Sequence, residues 1–301
     1  MTGISASATW SAAVFAHNEA SNIIDCLDSV LAQDDDRGLA VTVIANGCSD
    51  GTERIVEEYA GRHSRVHLVS LPRADKASAW NHYIHKVAHQ YAPDADVHFF
   101  LDGDVKIRPA SFAQLAECLA SEPSAMAAGA MPASGRTIVA WSRRMKRMGR
   151  LAGGLYALRS ELLDPVVEHG VRMPAGLIGD DLFVSCLAKD RLDSKGLYRA
   201  NPRLVIVRGA RFEFESLSPY NPLHWRIYWN RMIRYHQREH QMRMLIHIMR
   251  AKGWDALPAD VNEVYNRAAS LARYQWRGGS TLFDWLAVRR IRQEIGKPFR
   301  D

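Results

Sequence analysis

From its amino terminus onward the chain alternates short apolar runs with stretches in which apolar residues recur every three or four positions. Residues 11–16 are small and apolar and end at His17-Asn18-Glu19. Ile23, Ile24, Leu27, Val30 and Leu31 then mark one face of a helix over 20–31. Residues 39–45 are apolar and partly β-branched, stop at Asn46-Gly47, and lead through Ser49-Asp50-Gly51-Thr52 into a helix over 53–60. The unit repeats with a strand at 66–71, a helix at 77–90, and a strand at 96–101 that runs directly into Asp102-Gly103-Asp104.

Strands and helices alternating at this spacing predict right-handed crossovers and a mostly parallel sheet flanked by helices on both faces. Ligands of such sheets bind beyond the carboxyl ends of the strands, where each polar cluster just named falls. Further along, the pattern predicts a helix at 111–121 and an Ala- and Gly-rich strand at 126–133. A basic helix at 136–150 and a return strand at 155–158 follow. The loop 173–179 opens on Asp180-Asp181, then come a helix at 182–188 and a strand at 204–207. From Pro222 onward the pattern is almost wholly helical, broken near 253–258 and at Gly278-Gly279.

With 301 residues, 47% of them hydrophobic and 24% charged, the chain has the size and balance of a folded domain with a sizeable core, which excludes a disordered or fibrous protein. Its net charge of +6 points to an anionic partner: nucleic acid, an anionic membrane surface or a phosphorylated small molecule. Arg and Lys crowd the segments after Trp141 and after Trp225. The four cysteines, Cys26, Cys48, Cys118 and Cys186, stand singly, so neither a zinc knuckle nor a disulfide framework is expected. Residues 1–8 lack the basic and apolar regions of a signal peptide, and no apolar run approaches the roughly 20 residues of a membrane span. The expectation is a cytoplasmic protein, with peripheral contact at the inner face of the membrane through its basic C-terminal helices as an added possibility.

The candidate chemistry lies at the strand ends. Two carboxylates astride Gly103 can reach one hard cation, and Mg²⁺ or Mn²⁺ binds carboxylate together with phosphate oxygens; two loop acids can equally cap the next helix. Lys76 and Asn81 open the helix after the third strand, where backbone N–H groups already favour an anion. Asp180 and Asp181 stand at a helix start, as an N-cap pair or as a general base and its neighbour.

In order and approximate spacing, Phe15-Ala16-His17-Asn18-Glu19, 45–52, Lys76 with Asn81, Asp102-Gly103-Asp104 and Gly179-Asp180-Asp181 resemble the inverting family 2 glycosyltransferases of the GT-A fold. The resemblance spans about residues 11–235. It implies a Rossmann-like GT-A catalytic domain over 1–221, with a donor half at about 9–104 and an acceptor half at about 105–221, and a helical extension over 222–301. It further implies transfer of a sugar, with inversion, from a nucleotide-diphosphate sugar to an acceptor hydroxyl, on a saccharide or a lipid-linked molecule of cell-surface polysaccharide or glycoconjugate synthesis.

By the same resemblance Ala16, His17, Asn18 and Glu19 touch the nucleotide, joined at the donor by Asn46, Lys76, Asn81, Asp102 and Gly103. Asp104 binds Mn²⁺ or Mg²⁺ directly, with Asp102 at the ribose or a metal-bound water. Asp181 is the base, and Asp180 orients it or meets the acceptor. Arg231, Arg234 and Tyr235 stand where the family carries Gln-x-x-Arg-Trp, and the two arginines would reach the diphosphate. Where the family usually has an acid to read the base, this chain has Ala45 or Asn46, and the Asn46 amide can pair with a uracil or a guanine edge; a UDP-sugar is the favoured donor and a GDP-sugar the alternative. In related enzymes a late histidine can serve as a third metal ligand; the late histidines here read first as surface or core residues, with His224 and His236 the candidates for that role. The competing functions are a nucleotidyltransferase and a basic nucleic-acid-binding protein; acidic clusters without a bridging cation argue against the latter, and no nucleic-acid partner is expected. The helices after Pro222 are expected to dock on the catalytic domain, and removal of 253–301 to spare nucleotide binding.

Overall fold

The computed structural model describes residues 9–33, 38–135, 138–190, 199–215, 220–250 and 253–299. The signal-peptide reading of residues 1–8 and the start of the basic helix at Arg136 lie outside them. The first half follows the alternating pattern: β1 (Trp10–Ala16), α1 (Ile23–Leu31), β2 (Ala40–Asn46), α2 (Thr52–Ala60), β3 (Val66–Leu71), α3 (Lys76–His82), α4 (Ala88–Tyr91) and β4 (Val97–Asp102). All of β1 is buried because both sheet faces are covered, which is why its sequence reads as a continuous apolar run. Trp10, Ala12, Val14 and Ala16 enter the core beneath α1 and α2, while Ala13 and Phe15 enter the opposite core with Phe100, Trp80 and Tyr83.

The second half holds β5 (Val105–Ile107), α5 (Ser111–Ser121), β6 (Ala127–Pro132), α6 (Ile138–Met148), β7 (Tyr156–Arg159), α7 (Ser160–Glu168), α8 (Asp180–Lys189) and β8 (Leu204–Phe214). The sheet order is β3-β2-β1-β4-β7-β6-β8-β5. β3, β2, β1 and β4 run parallel, but β7 enters antiparallel to both β4 and β6, and β5 closes the far edge antiparallel to β8. The parallel expectation therefore holds for the first half, and the second half is mixed.

Four elements depart from the sequence pattern. β5 has only three residues, too few to show an alternation, and β8 runs on from Val207 to Phe214. The helix expected at 77–90 is broken by a wide π turn over Tyr83–Val87 that points Tyr83, Ile84 and Val87 into the core. α7 carries Pro165 in its interior, which conceals it from a pattern search.

The C-terminal segment supplies α9 (Pro222–Met249), α10 (Val261–Arg267) and α11 (Thr281–Glu294), separated by short 3₁₀ turns at Gly253–Ala256 and Gly278–Ser280. Met242, Leu245, Val264, Tyr265 and Ile291 belong to the same buried cluster as Trp80, Phe100 and Phe183. The helices after Pro222 thus form a wall of the main core. Among the described residues no helix is long and apolar enough to cross a membrane.

Candidate active site

Strand register sets the floor of the site. Phe15 pairs with Asp102 across β1 and β4, and Ala16 with Ala45 across β1 and β2, so three strands end at one level. Just past that level the Gly103 N–H donates to the Phe15 carbonyl at 2.8 Å, and a Cβ at Gly103 would lie 3.2 Å from both that oxygen and the Ala16 side chain. Gly103 is a close backbone approach that turns the chain between two carboxylates. Phe15, His17, Glu19, Asn46, Lys76, Asp102, Gly103 and Asp104 line the resulting cleft.

The loops after β1 and β2 hold each other in place. The Asp50 carboxylate accepts from the Ala20 N–H at 3.0 Å and the Thr52 hydroxyl at 2.6 Å, and the Thr52 hydroxyl accepts from the Glu19 N–H at 2.8 Å. Asn18, at a left-handed φ of 58°, accepts from the Ser49 N–H at 2.8 Å, and His17 Nδ1 lies 2.7 Å from the Asn46 carbonyl. Ser49-Asp50-Gly51-Thr52 therefore works as a latch, leaving His17 and Asn18 exposed at the rim and Asn46 buried at the base. Gly47, with φ of 61°, has room for no side chain: a Cβ would sit 2.5 Å from the Ala74 nitrogen.

Asp75 caps α3 by accepting from the Ser78 N–H, and the same oxygen accepts from the Gly176 N–H at 3.1 Å. The cap fixes Lys76, whose ammonium meets Asp102 Oδ1 at 2.5 Å and Asp180 Oδ2 at 3.0 Å, the latter without hydrogen-bond geometry. The sequence pattern separated these residues into donor and acceptor sides; the fold joins them through one lysine. A Cβ at Gly153 would lie 3.3 Å from both Lys76 Nζ and Asp102 Oδ2, so this glycine roofs the pair.

The electrostatics are those of excess negative charge. Burial alone would lower the Lys76 ammonium, but Asp102 and Asp180 outweigh it and hold the group charged, well above its ordinary value. Although 37% of the Asp102 side chain faces the cleft, withdrawal from water, opposed by Lys76 and reinforced by Asp180 and Asp104, pushes its carboxyl up to about 7. Glu19 is raised as well, by burial first and then by Asp104 and Asp50 against the Asn22 hydrogen bond. One lysine among these carboxylates leaves a deficit of positive charge, and oxygen donors of this kind suit a hard divalent cation. Among the described residues no three His, Cys, Asp or Glu side chains converge into a cage. The donor set thus fits an ion held by one or two carboxylates at Asp104 and Asp102 that draws its remaining ligands from phosphate and water.

Asp181 lies one residue further, at the first turn of α8. Its Oδ2 accepts from the Arg238 guanidinium of α9 at 3.2 Å. Gly179, with φ of 92°, admits that arginine, because a Cβ there would lie 2.5 Å from Arg238 Cδ. Gln241, one helical turn beyond Arg238, accepts from the Ile178 N–H at 2.8 Å. The pattern missed Arg238, although it lies at helical spacing (231, 234, 238) from the two arginines it singled out.

Several sequence-predicted residues are placed elsewhere. Asn81 donates to the Met173 carbonyl at 2.9 Å and accepts from the Met173 N–H at 2.8 Å, so its amide staples a loop instead of facing the cleft. Ala16 is fully buried and offers the cleft no side-chain surface. Arg231, Arg234 and Tyr235 are exposed on α9, and among the described residues no hydrogen bond or ion pair joins them to the site. His236 is buried 3.3 Å from Asp284, and His224 lies 3.3 Å from the Asn221 amide; neither is among the residues that line the cleft.

The sequence model described as glycosyl transferase family 2 matches residues 11–175, more than half of the chain. Comparison with curated proteins returns no match. Among solved structures, the chain is similar to a mannosyltransferase from Pyrobaculum calidifontis in complex with GDP-Man and Mn²⁺, at a TM-score of 0.57 and 20% identity, covering 94% of this chain and 73% of that one. It is also similar to glucosyl-3-phosphoglycerate synthase from Mycobacterium tuberculosis in complex with Mn²⁺, UDP-Glc and phosphoglyceric acid, at a TM-score of 0.52 and 20% identity, covering 83% and 81%.

Proposed function

The chain belongs to glycosyl transferase family 2, and from that premise we propose that it moves a sugar, with inversion, from a nucleotide-diphosphate sugar to an acceptor hydroxyl. Its fold is of the GT-A type, with a helical C-terminal region. The observation that carries the proposal is that one lysine joins two carboxylate clusters: Lys76 meets Asp102 in the cleft and also Asp180, the neighbour of Asp181, which Arg238 holds.

In this reading Asp104, with Asp102, holds Mn²⁺ or Mg²⁺; Mn²⁺ is the ion carried by the two similar structures with their nucleotide sugars. When bound, the ion neutralises charge on the diphosphate. The chain's own groups do the rest. Asn46, buried at the cleft floor, offers an amide to the edge of the base, with uracil favoured and guanine the alternative. Lys76 keeps its charge at the cleft and balances the leaving diphosphate oxygens. Asp181 takes the acceptor hydroxyl's proton as the new bond forms at the anomeric carbon. The bond to the diphosphate oxygen breaks in the same step, and the nucleoside diphosphate leaves with its electron pair. Arg238 holds Asp181 in place. The catalytic unit is taken as 1–221, with 222–301 as an extension that completes the acceptor side.

A thermal-shift panel of UDP-, GDP-, CDP- and TDP-sugars with and without Mn²⁺ tests the proposal, since a ligand that binds only the folded chain raises its melting temperature. A metal-dependent rise with one donor, absent in Asp104→Ala, is the expected result. Release of pyrophosphate instead of nucleoside diphosphate would identify a nucleotidyltransferase.

A further inference from the structure

The first turns of α9 carry large apolar side chains that the fold does not bury. Trp225 is 62% exposed, and Ile227, Tyr228 and Trp229 are about half exposed. Beside them, α11 exposes Leu282 and Trp285. The two helices meet at this point: Trp229 packs edge-on against Phe283 with ring centroids 4.8 Å apart, and Arg290 donates to Asn230 at 2.9 Å. Apolar side chains clustered on adjoining helices form a patch of the kind that marks an interaction surface.

The charges around this patch have one sign. Between Glu215 and Glu239 the sequence contains no acidic residue, and Arg226, Arg231 and Arg234 are exposed along α9. On α11, Arg289 is exposed and stacks over Trp285 at 5.7 Å. The only acid near its start, Asp284, is fully buried, where it accepts from His240 and the Gln275 N–H. Exposed Trp and Tyr set among arginines, with aliphatic Ile227 and Leu282 between them, match the headgroup layer of an anionic bilayer. A second copy across a two-fold axis would bring these arginines against their own counterparts, and among the described residues between Tyr220 and Arg238 no carboxylate is present to pair them. Nucleic acid would use the rings and the charge, but it gives Ile227 and Leu282 nothing to bury against.

We propose that the exposed faces of α9 and α11 dock this protein on an anionic lipid surface. The docking face rests on these side chains and stands independently of the donor assignment. Arg238 lies nine residues beyond Trp229 on the same helix, so docking would bring the Asp180-Asp181 end within about 20 Å of the headgroups at 1.5 Å of rise per residue.

Flotation of the full chain with vesicles of phosphatidylcholine alone, and with vesicles that also contain phosphatidylglycerol, tests the proposal. The wild-type chain should float with the anionic vesicles and not with the neutral ones. Arg226→Glu with Arg289→Glu should reduce that partition by about tenfold or more, each cation near the surface carrying a share of the attraction. Trp225→Ala with Trp285→Ala should reduce it as well. Thermal melts check that each variant folds, and the charge pair decides the matter if the tryptophan pair melts early. The proposal is overturned if the wild-type chain fails to float with anionic vesicles or if both folded variants float as it does. It is equally overturned by a vesicle-free dimer that the same substitutions dissociate, or by oligonucleotide binding that displaces the vesicles.

Discussion

At the scale of single residues, Asp180 and Asp181 are adjacent in sequence yet held by different partners, Lys76 and Arg238. A helix start sends neighbouring side chains in different directions, about 100° apart around the axis, so each carboxylate finds its own cation. If Asp181 is the base, Asp181→Asn keeps the shape but cannot accept the proton, and turnover should fall by about a hundredfold or more while donor affinity barely changes. Arg238 acts through Asp181 as a positioning residue. Arg238→Ala should lower kcat with little change in donor KM, and Arg238→Lys should recover part of it, because a misplaced base loses rate without losing substrate. Steady-state kinetics on both variants check this, and an Arg238→Ala enzyme with normal kcat would remove the arginine from the mechanism.

Secondary-structure elements meet at two junctions whose packing can be tested. The first joins α9 to the start of α8 at Gly179. Gly179→Ala adds a Cβ at a φ of 92° and drives it into Arg238, so it should destabilise the protein by about 1–3 kcal/mol, visible as a lower melting temperature together with reduced turnover. The second is a buried chain of hydrogen bonds: Ser11 of β1 to the Tyr83 hydroxyl at 2.7 Å, Tyr83 to His98 Nδ1 at 2.9 Å, and His98 Nε2 to Ser160 of α7 at 3.2 Å. Burial lowers His98 from 6.5 to about 4, against a hydrogen bond that its ring donates to the Ala95 backbone. Above pH 6.5 the imidazole is neutral in both the folded and the unfolded chain. As the pH falls from 6.5 toward 4 the unfolded chain takes up the proton first, so stability is lost across that window, by about 3 kcal/mol in total. Urea unfolding near pH 7 and near pH 4.5 should show this loss in the wild-type chain and a smaller one in His98→Gln.

For the whole molecule, the depth to which the C-terminal helices enter the core is decisive. Removal of 253–301 was expected to spare nucleotide binding. Val261, Val264, Tyr265, Ala268 and Ile291 nevertheless share the buried cluster with Trp80 and Phe183, and the Tyr265 hydroxyl accepts from Gln241 at 2.7 Å. A chain that lacks 253–301 should therefore expose a large apolar surface and lose cooperative unfolding, each buried large side chain contributing about 1.5–3 kcal/mol. Circular dichroism melts of the truncated chain check this, and a sharp transition at the wild-type temperature would show the helices to be dispensable.

What the sequence determined by itself was local. Apolar runs closed by polar clusters marked β1 to β4, and the motif order from His17 to Asp181 marked the family, because strand burial and turn chemistry are written in consecutive residues. Lys76, Asp102, Asp104 and Asp180 were legible for the same reason: each sits at an element boundary with a recognisable neighbour. Other features were decided only by tertiary structure. Asn81 carries the same side chain whether it faces a ligand or staples Met173, and the difference lies 92 residues away. Arg238 is one arginine among several on α9 until the turn of the helix and the bare backbone of Gly179 select it. The antiparallel entry of β7 between β4 and β6, and the use of α10 and α11 as core, depend on contacts between distant segments, which no local periodicity encodes.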